Sequence, residues 1–175
     1  MSVYYINTSH LPRICGKLHA GDEVYLSGTV YTARDAAHKR IFSIMESGEK
    51  LPFEIKNAVI YYAGPTPARP GAVIGSCGPT TSSRMDKFSP RLLDMGLCAM
   101  IGKGKRNKET IDAIKRNGKV YFCALGGVGA LAALCIKKCE VIAFEDLGCE
   151  SVKKLEFENF PVYVAIDSYG ESIFK

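Results

Sequence analysis

LCAMIGKGKRNKETIDAIKRNGKVYFCAL, residues 97–125, holds one full unit of the fold. LCAMIG is a short apolar run, and KVYFCAL is a second. Between them, Lys108 to Asn117 reads as a helix, with Gly118 as its stop signal. A strand, a crossover helix and a second strand make the repeating unit of a parallel sheet.

The pattern continues in both directions. Downstream, KVYFCAL leads into the glycine-rich GGVGALAALCI, and EVIAFED leads through a short turn or helix into FPVYVAID. Upstream, AVIGSC, residues 72–77, reads as a strand, followed by a helix that opens at the capping pair Ser89-Pro90. GPTPARPG, residues 64–71, concentrates proline and glycine and is where an internal boundary would fall. Before it, Val24, Leu26, Gly28 and Val30 alternate as in a strand, whereas Ala37, Ile41, Ile44 and Met45 have helical spacing ahead of Gly48. The expectation is an α/β fold: a strand-rich N-terminal part, then alternating strands and helices on a substantially parallel sheet. The 175 residues fit one domain, 1–175.

Composition narrows the function classes. With 47% hydrophobic and 23% charged residues, the chain reads as soluble and globular. The N-terminus MSVYYINTSHLPR lacks a basic region followed by an apolar core, and no apolar run reaches membrane-spanning length, so a cytoplasmic protein is expected. The net charge of +5 is mild and dense only in GKGKRNK, residues 102–108. Nucleic-acid binding is therefore not favoured, and a local field for a small anionic substrate explains the cluster equally well. Seven cysteines, an odd number set mostly in apolar runs with no C-x-x-C pair, point to reduced thiols. Cys135 and Cys139, four apart, could share a helix face as small buried hydrophobes. No complete metal or iron–sulfur site is expected within the chain.

Two phosphate-binding patterns need testing. GLCAMIGKG fails as a Walker loop, because five residues separate Gly96 from Gly102 and Gly104 stands where Ser or Thr is required. Gly127, Gly129 and Ala132 do match G-x-G-x-x-A after a strand, with Glu145 and Asp146 downstream. That position leaves too little chain for the usual βαβαβ half. Close packing of small residues is the simpler account, and a non-catalytic dinucleotide- or anion-binding module is the alternative.

GPTTSSRMD, residues 78–86, offers four hydroxyls and an arginine to an anion. Ligands of α/β sheets gather at the carboxyl ends of strands. If AVIGSC and LCAMIG are neighbours, Thr80, Arg84 and Lys103 could converge on one anionic ligand.

RDAAHKR, GPTTSSRMD, MIGKGK, GGVGALAAL and FEDLGCESVKKLEFENFPVYVAIDSYG occur in the order found in one enzyme family. From about Leu18 to Gly170 the chain resembles the β-subunit, or C-terminal domain, of class I fumarases and L-tartrate dehydratases. The resemblance implies a swivelling β/β/α fold and a hydro-lyase reaction: hydration of fumarate to (S)-malate, or dehydration of L-tartrate to oxaloacetate. It implies that a [4Fe–4S] cluster is carried by an α-subunit partner and that this chain alone binds no metal. The assembly would be a hetero-oligomer, in which β-subunits can also pair, acting on a C4 dicarboxylate. By the same resemblance, Arg34, Arg84 and Lys103 bind carboxylates and Thr80 transfers the proton at the reacting carbon. Asp35, His38 and Asp86 would support them. Thr81, Ser82 and Ser83 read as turn and cap residues, with substrate binding by one of them as the alternative.

Overall fold

The computed structural model describes residues 1–124 and 129–175. Its strands are β1 (Val3–Asn7), β2 (Glu23–Thr32), β3 (Val59–Tyr61), β4 (Ala99–Gly102), β5 (Val120–Ala124), β6 (Ile136–Ala143) and β7 (Val152–Ile166). The helices are α1 (Leu11–Ile14), α2 (Asp35–Ser47), α3 (Ser89–Asp94), α4 (Lys108–Asn117) and α5 (Gly129–Leu134). β1 to β5 run parallel in sequence order. β7 runs antiparallel to β2, β5 and β6. Because β7 pairs with both β5 and β2, the path β2-β3-β4-β5-β7 closes on itself, with β1 and β6 flanking it. The α/β class expected from the sequence holds, but the sheet is mixed rather than substantially parallel.

Strand alternation separates two cores. Inside the closed sheet lie Leu26 and Val30 of β2, Ile101 of β4, Phe122 of β5, and Phe157, Phe160 and Val162 of β7. On the other side, Ile60, Met100, Tyr121 and Ile166 meet Ala37 and Ile41 of α2, Leu92 and Leu93 of α3, and Ala113 and Ile114 of α4. β4 is buried on both faces, which is why LCAMIG reads as an unbroken apolar run. β2 alternates buried and half-buried positions along its whole length. The result is two sheet layers and a helical layer. Among the described residues, no helix is long and apolar enough to cross a membrane.

Most elements of the opening unit lie where the pattern puts them. α4 begins behind Asn107, whose Oδ1 accepts the Thr110 N–H at 2.9 Å, and ends at Gly118 with φ 61°. Three expectations fail. AVIGSC is not a strand; β3, thirteen residues earlier at Val59, takes the place beside β4. Segment 72–77 instead folds back on the proline-rich loop, where the Thr66 N–H donates to the Ser76 carbonyl at 3.0 Å and the Ser76 N–H to Thr66 Oγ1 at 2.9 Å. Pro65, Pro67 and Pro70 have no N–H to extend a ladder. The apolar character of AVIGSC serves packing, since Ile74 and Cys77 join the inner core. Ser89 is not a cap: Phe88 stands at that position, and the Ser89 hydroxyl turns back to the Met85 carbonyl at 2.9 Å. Cys135 and Cys139 share no helix face, because Cys135 follows α5 and Cys139 lies in β6.

Candidate active site

The carboxyl ends of the parallel strands form one rim. β2 runs out into Ala33 and Arg34, and α2 begins at Asp35. The exit of β3 is Tyr62, whose carbonyl accepts the Thr80 N–H at 2.7 Å, so the chain returns from its excursion to the sheet end. At the exit of β4, Lys103 bridges Thr81, and its carbonyl accepts the Ser82 N–H at 3.0 Å. The condition that AVIGSC lie beside β4 fails, because β3 takes that place; the backbone contacts with Tyr62 and Lys103 instead set Thr80 to Ser82 beside the exits of β3 and β4.

The cations differ in their engagement. Arg84, half exposed, gives its Nε–H to Asp35 Oδ1 at 3.0 Å, which leaves its two terminal nitrogens without a partner among the described residues. It turns to Asp35 rather than to Thr80. Arg34 Nε stands 3.9 Å from Glu150 Oε1, beyond hydrogen-bond reach, while that oxygen accepts the Ala36 N–H at 3.3 Å. Lys103 is exposed and has no ion pair among the described residues. Glu150 comes from the segment Glu145–Glu150, which is fastened at its far end by the buried Lys153 ammonium to the carbonyls of Gly148, Cys149 and Ser151.

His38 lies beneath Arg34. Its Nδ1 is 2.7 Å from the Arg34 carbonyl oxygen, and its ring sits between Phe88 and Tyr62 at centroid distances of 5.3 and 5.7 Å. Burial pushes its pKa down to about 4 against the pull of that bond. The neutral imidazole must donate from Nδ1 to a carbonyl, which makes Nε2 an acceptor. His38 Nε2, Arg34 Nε and Asp35 Oδ2 are the buried side-chain polar atoms without a partner among the described residues. All three fall within the RDAAH stretch.

Sequence reasoning missed the groups under the rim. Arg106 looks like one more surface cation in GKGKRNK, yet its side chain is 0% exposed. Its Nε donates to Asp86 Oδ1 at 2.6 Å and its Nη2 to Ser89 Oγ at 2.6 Å, with the guanidinium 4.8 Å from the Tyr121 ring. Asp86 Oδ2 accepts the Asn107 N–H at 2.9 Å, so one carboxylate ties the GPTTSSRMD loop to the GKGKRN loop. The only sequence signal was position: Arg106 precedes Asn107, the cap of α4. Ser82 is buried too, and its Oγ accepts the Lys103 N–H at 2.9 Å. Gly102 makes room for it, since a Cβ there would collide with Ser82 Oγ and stand 2.8 Å from Tyr62 Cδ2.

The cysteines do not fit an iron–sulfur cluster. Cys15 and Cys98 meet in the inner core with sulfurs 3.8 Å apart, Cys77 is buried in the same core without bonding to either, and only Cys149 is exposed. Among the described residues, no three His, Cys, Asp or Glu side chains gather as a metal site. As for a dinucleotide, Gly127 lies outside the described residues, and Asp146 is engaged by Arg40 through two bonds of 2.7 and 2.8 Å.

The family described as Fumarase C-terminus matches residues 4–175. The chain belongs to the fumarase C-terminus family. A protein of Methanocaldococcus jannaschii with the provisional name L(+)-tartrate dehydratase subunit beta is 42% identical over 165 residues, covering 91% of this chain and 85% of the relative. Fumarate hydratase 2 of Leishmania major is 40% identical over 157 residues, 89% of this chain and 28% of its own length. The aerobic class I fumarate hydratase of Escherichia coli is 40% identical over 152 residues, 86% and 28% respectively. The chain thus spans most of the archaeal subunit but little more than a quarter of those two fumarate hydratases. Family members occur both as a separate subunit and as part of a much longer chain.

Proposed function

We propose that this chain is the β-subunit of an iron–sulfur-dependent hydro-lyase that interconverts fumarate and (S)-malate. The observation that carries the reading is the shared rim at the ends of β2, β3 and β4, where backbone contacts join Thr80 to Tyr62 and Ser82 to Lys103, and the Arg84 side chain pairs with Asp35, the neighbour of Arg34. In this reading the cluster is held by an α-subunit, the complex is cytoplasmic in keeping with seven free cysteines, and residues 1–175 act as one domain.

The reaction sets the roles. Malate loses a proton from the carbon next to one carboxylate as its hydroxyl departs, and negative charge builds on that carboxylate. Fixed cations stabilise this charge more than they stabilise the ground state. Arg84 has its terminal nitrogens available for a two-point grip, whereas Lys103 acts as a point charge. Asp35 holds Arg84 by a hydrogen bond, and Glu150 offers its negative charge to Arg34 at 3.9 Å. Thr80 is the proton-transferring group at the reacting carbon. A threonine hydroxyl is a weak base, so this role depends on the surrounding cations.

L-Tartrate is the competing substrate, favoured by the archaeal subunit, which matches this chain nearly end to end. Within the reconstituted αβ complex, Arg84→Ala should lower kcat/KM by about two orders of magnitude or more. Near-normal kinetics would remove Arg84 from the site. Thr80→Val should nearly abolish exchange of the substrate carbon-bound proton with solvent, and retained exchange would leave Thr80 a positioning role only.

A further inference from the structure

Of the four hydroxyls in TTSS, Ser82 alone is fully buried. It points down toward β5 rather than out to a ligand. There its Oγ meets Tyr121 Oη at 2.8 Å, and Tyr121 Oη also lies 2.9 Å from the Gly104 carbonyl oxygen. Tyr121 Oη is the donor to both, its single proton shared between the Gly104 carbonyl and Ser82 Oγ. Ser82 Oγ accepts from Tyr121 and from the Lys103 N–H, so one buried oxygen joins the two. Burial raises the Tyr121 pKa, so the phenol keeps the proton it must donate.

The contacts surround Lys103. Its N–H and its carbonyl both close on Ser82, and the next residue, Gly104, is held by Tyr121. Gly104 has φ +83°, a conformation suited to glycine. The Tyr121 ring is itself fixed beneath the Arg106 guanidinium.

We propose that Tyr121 and Ser82 form a latch that sets the position of Lys103 relative to Thr80 and Arg84, and with it the span between the two carboxylates of the substrate. Both are positioning residues: they act through the backbone of Lys103 and touch no substrate. The proposal rests on the hydro-lyase reading of the rim. If Lys103 binds its carboxylate in ground and transition states alike, loosening it raises KM and spares kcat.

Two measurements on Tyr121→Phe test the latch, one of them independent of catalysis. In the αβ complex, KM for fumarate should rise about tenfold with kcat within about twofold. In the isolated chain, the Lys103 amide should exchange its hydrogen faster while the amides of β5 keep their protection. Ser82→Ala should reproduce both effects, and the double variant should be no worse than either single one, because the two hydroxyls act as one unit. Unchanged exchange at Lys103, a loss confined to kcat, or additive losses would overturn the latch. Should the wild-type complex lack hydratase activity, the hydro-lyase reading falls and the exchange result decides whether the latch holds Lys103. If Tyr121→Phe does not fold, Ser82→Ala carries both measurements alone.

Discussion

His38 makes the stability of this fold acid-sensitive in a calculable way. Its ring is 0% exposed, and burial sets its pKa at about 4 against an ordinary 6.5. Between those values the unfolded chain binds a proton that the folded chain refuses, so stability rises with pH across the window and is progressively lost as pH falls through it. The full linkage is ~3 kcal/mol for a shift of this size, and about 2 kcal/mol of it should disappear between pH 7.5 and pH 5. Other groups titrate over the same range, so the test is a difference. Wild type and His38→Leu are unfolded in urea at several pH values, and their stabilities are subtracted at each. Leucine keeps an apolar side chain beside Phe88 and removes the titration. The Arg34 carbonyl retains the His38 backbone N–H at 2.9 Å, so α2 keeps its first turn. The wild-type advantage should shrink by about 2 kcal/mol on going to pH 5. Curves that stay parallel would refute the claim that His38 is held neutral in the folded protein.

Asp86→Ala leaves the Arg106 guanidinium buried without its counter-ion and should cost about 3–5 kcal/mol in urea unfolding; a loss under about 1 kcal/mol would contradict a buried, paired arginine. Gly102→Ala drives a methyl group into Ser82 Oγ and the Tyr62 ring, and should lower stability by roughly 1–3 kcal/mol, read from thermal unfolding. An unperturbed melt would mean that the two loops are not closely packed.

Legibility varied with the range of the contacts involved. The unit 97–125 was readable because helix period, cap and stop are local signals, and α4 has the bounds that its sequence suggests. β2 was readable because its alternation survives burial on one face. AVIGSC misled because apolar content marks burial, not ladder pairing: Ile74 and Cys77 are buried in a loop that bonds to itself. The sheet closes through the pairing of β7 with β2 and β5, both distant in sequence, and no local pattern encodes that. In the site, TTSSR and GKG were legible as polar stretches at loop positions, whereas RDAAH, which opens α2, was marked only by the family resemblance. Arg106, Ser82 and Tyr121 were not, because their burial is decided by how two loops meet. Lys105 and Arg106 are adjacent basic residues, one exposed and one fully buried, and composition cannot tell them apart.

The most direct test of the central claim is anaerobic reconstitution of the chain with its α-subunit, followed by initial rates on fumarate, (S)-malate and L-tartrate. The account predicts reversible conversion of fumarate and malate by the complex and none by the isolated chain. Conversion of L-tartrate in preference to both would transfer the same rim to the second reading. A complex that assembles with its cluster intact and turns over none of the three would contradict the account.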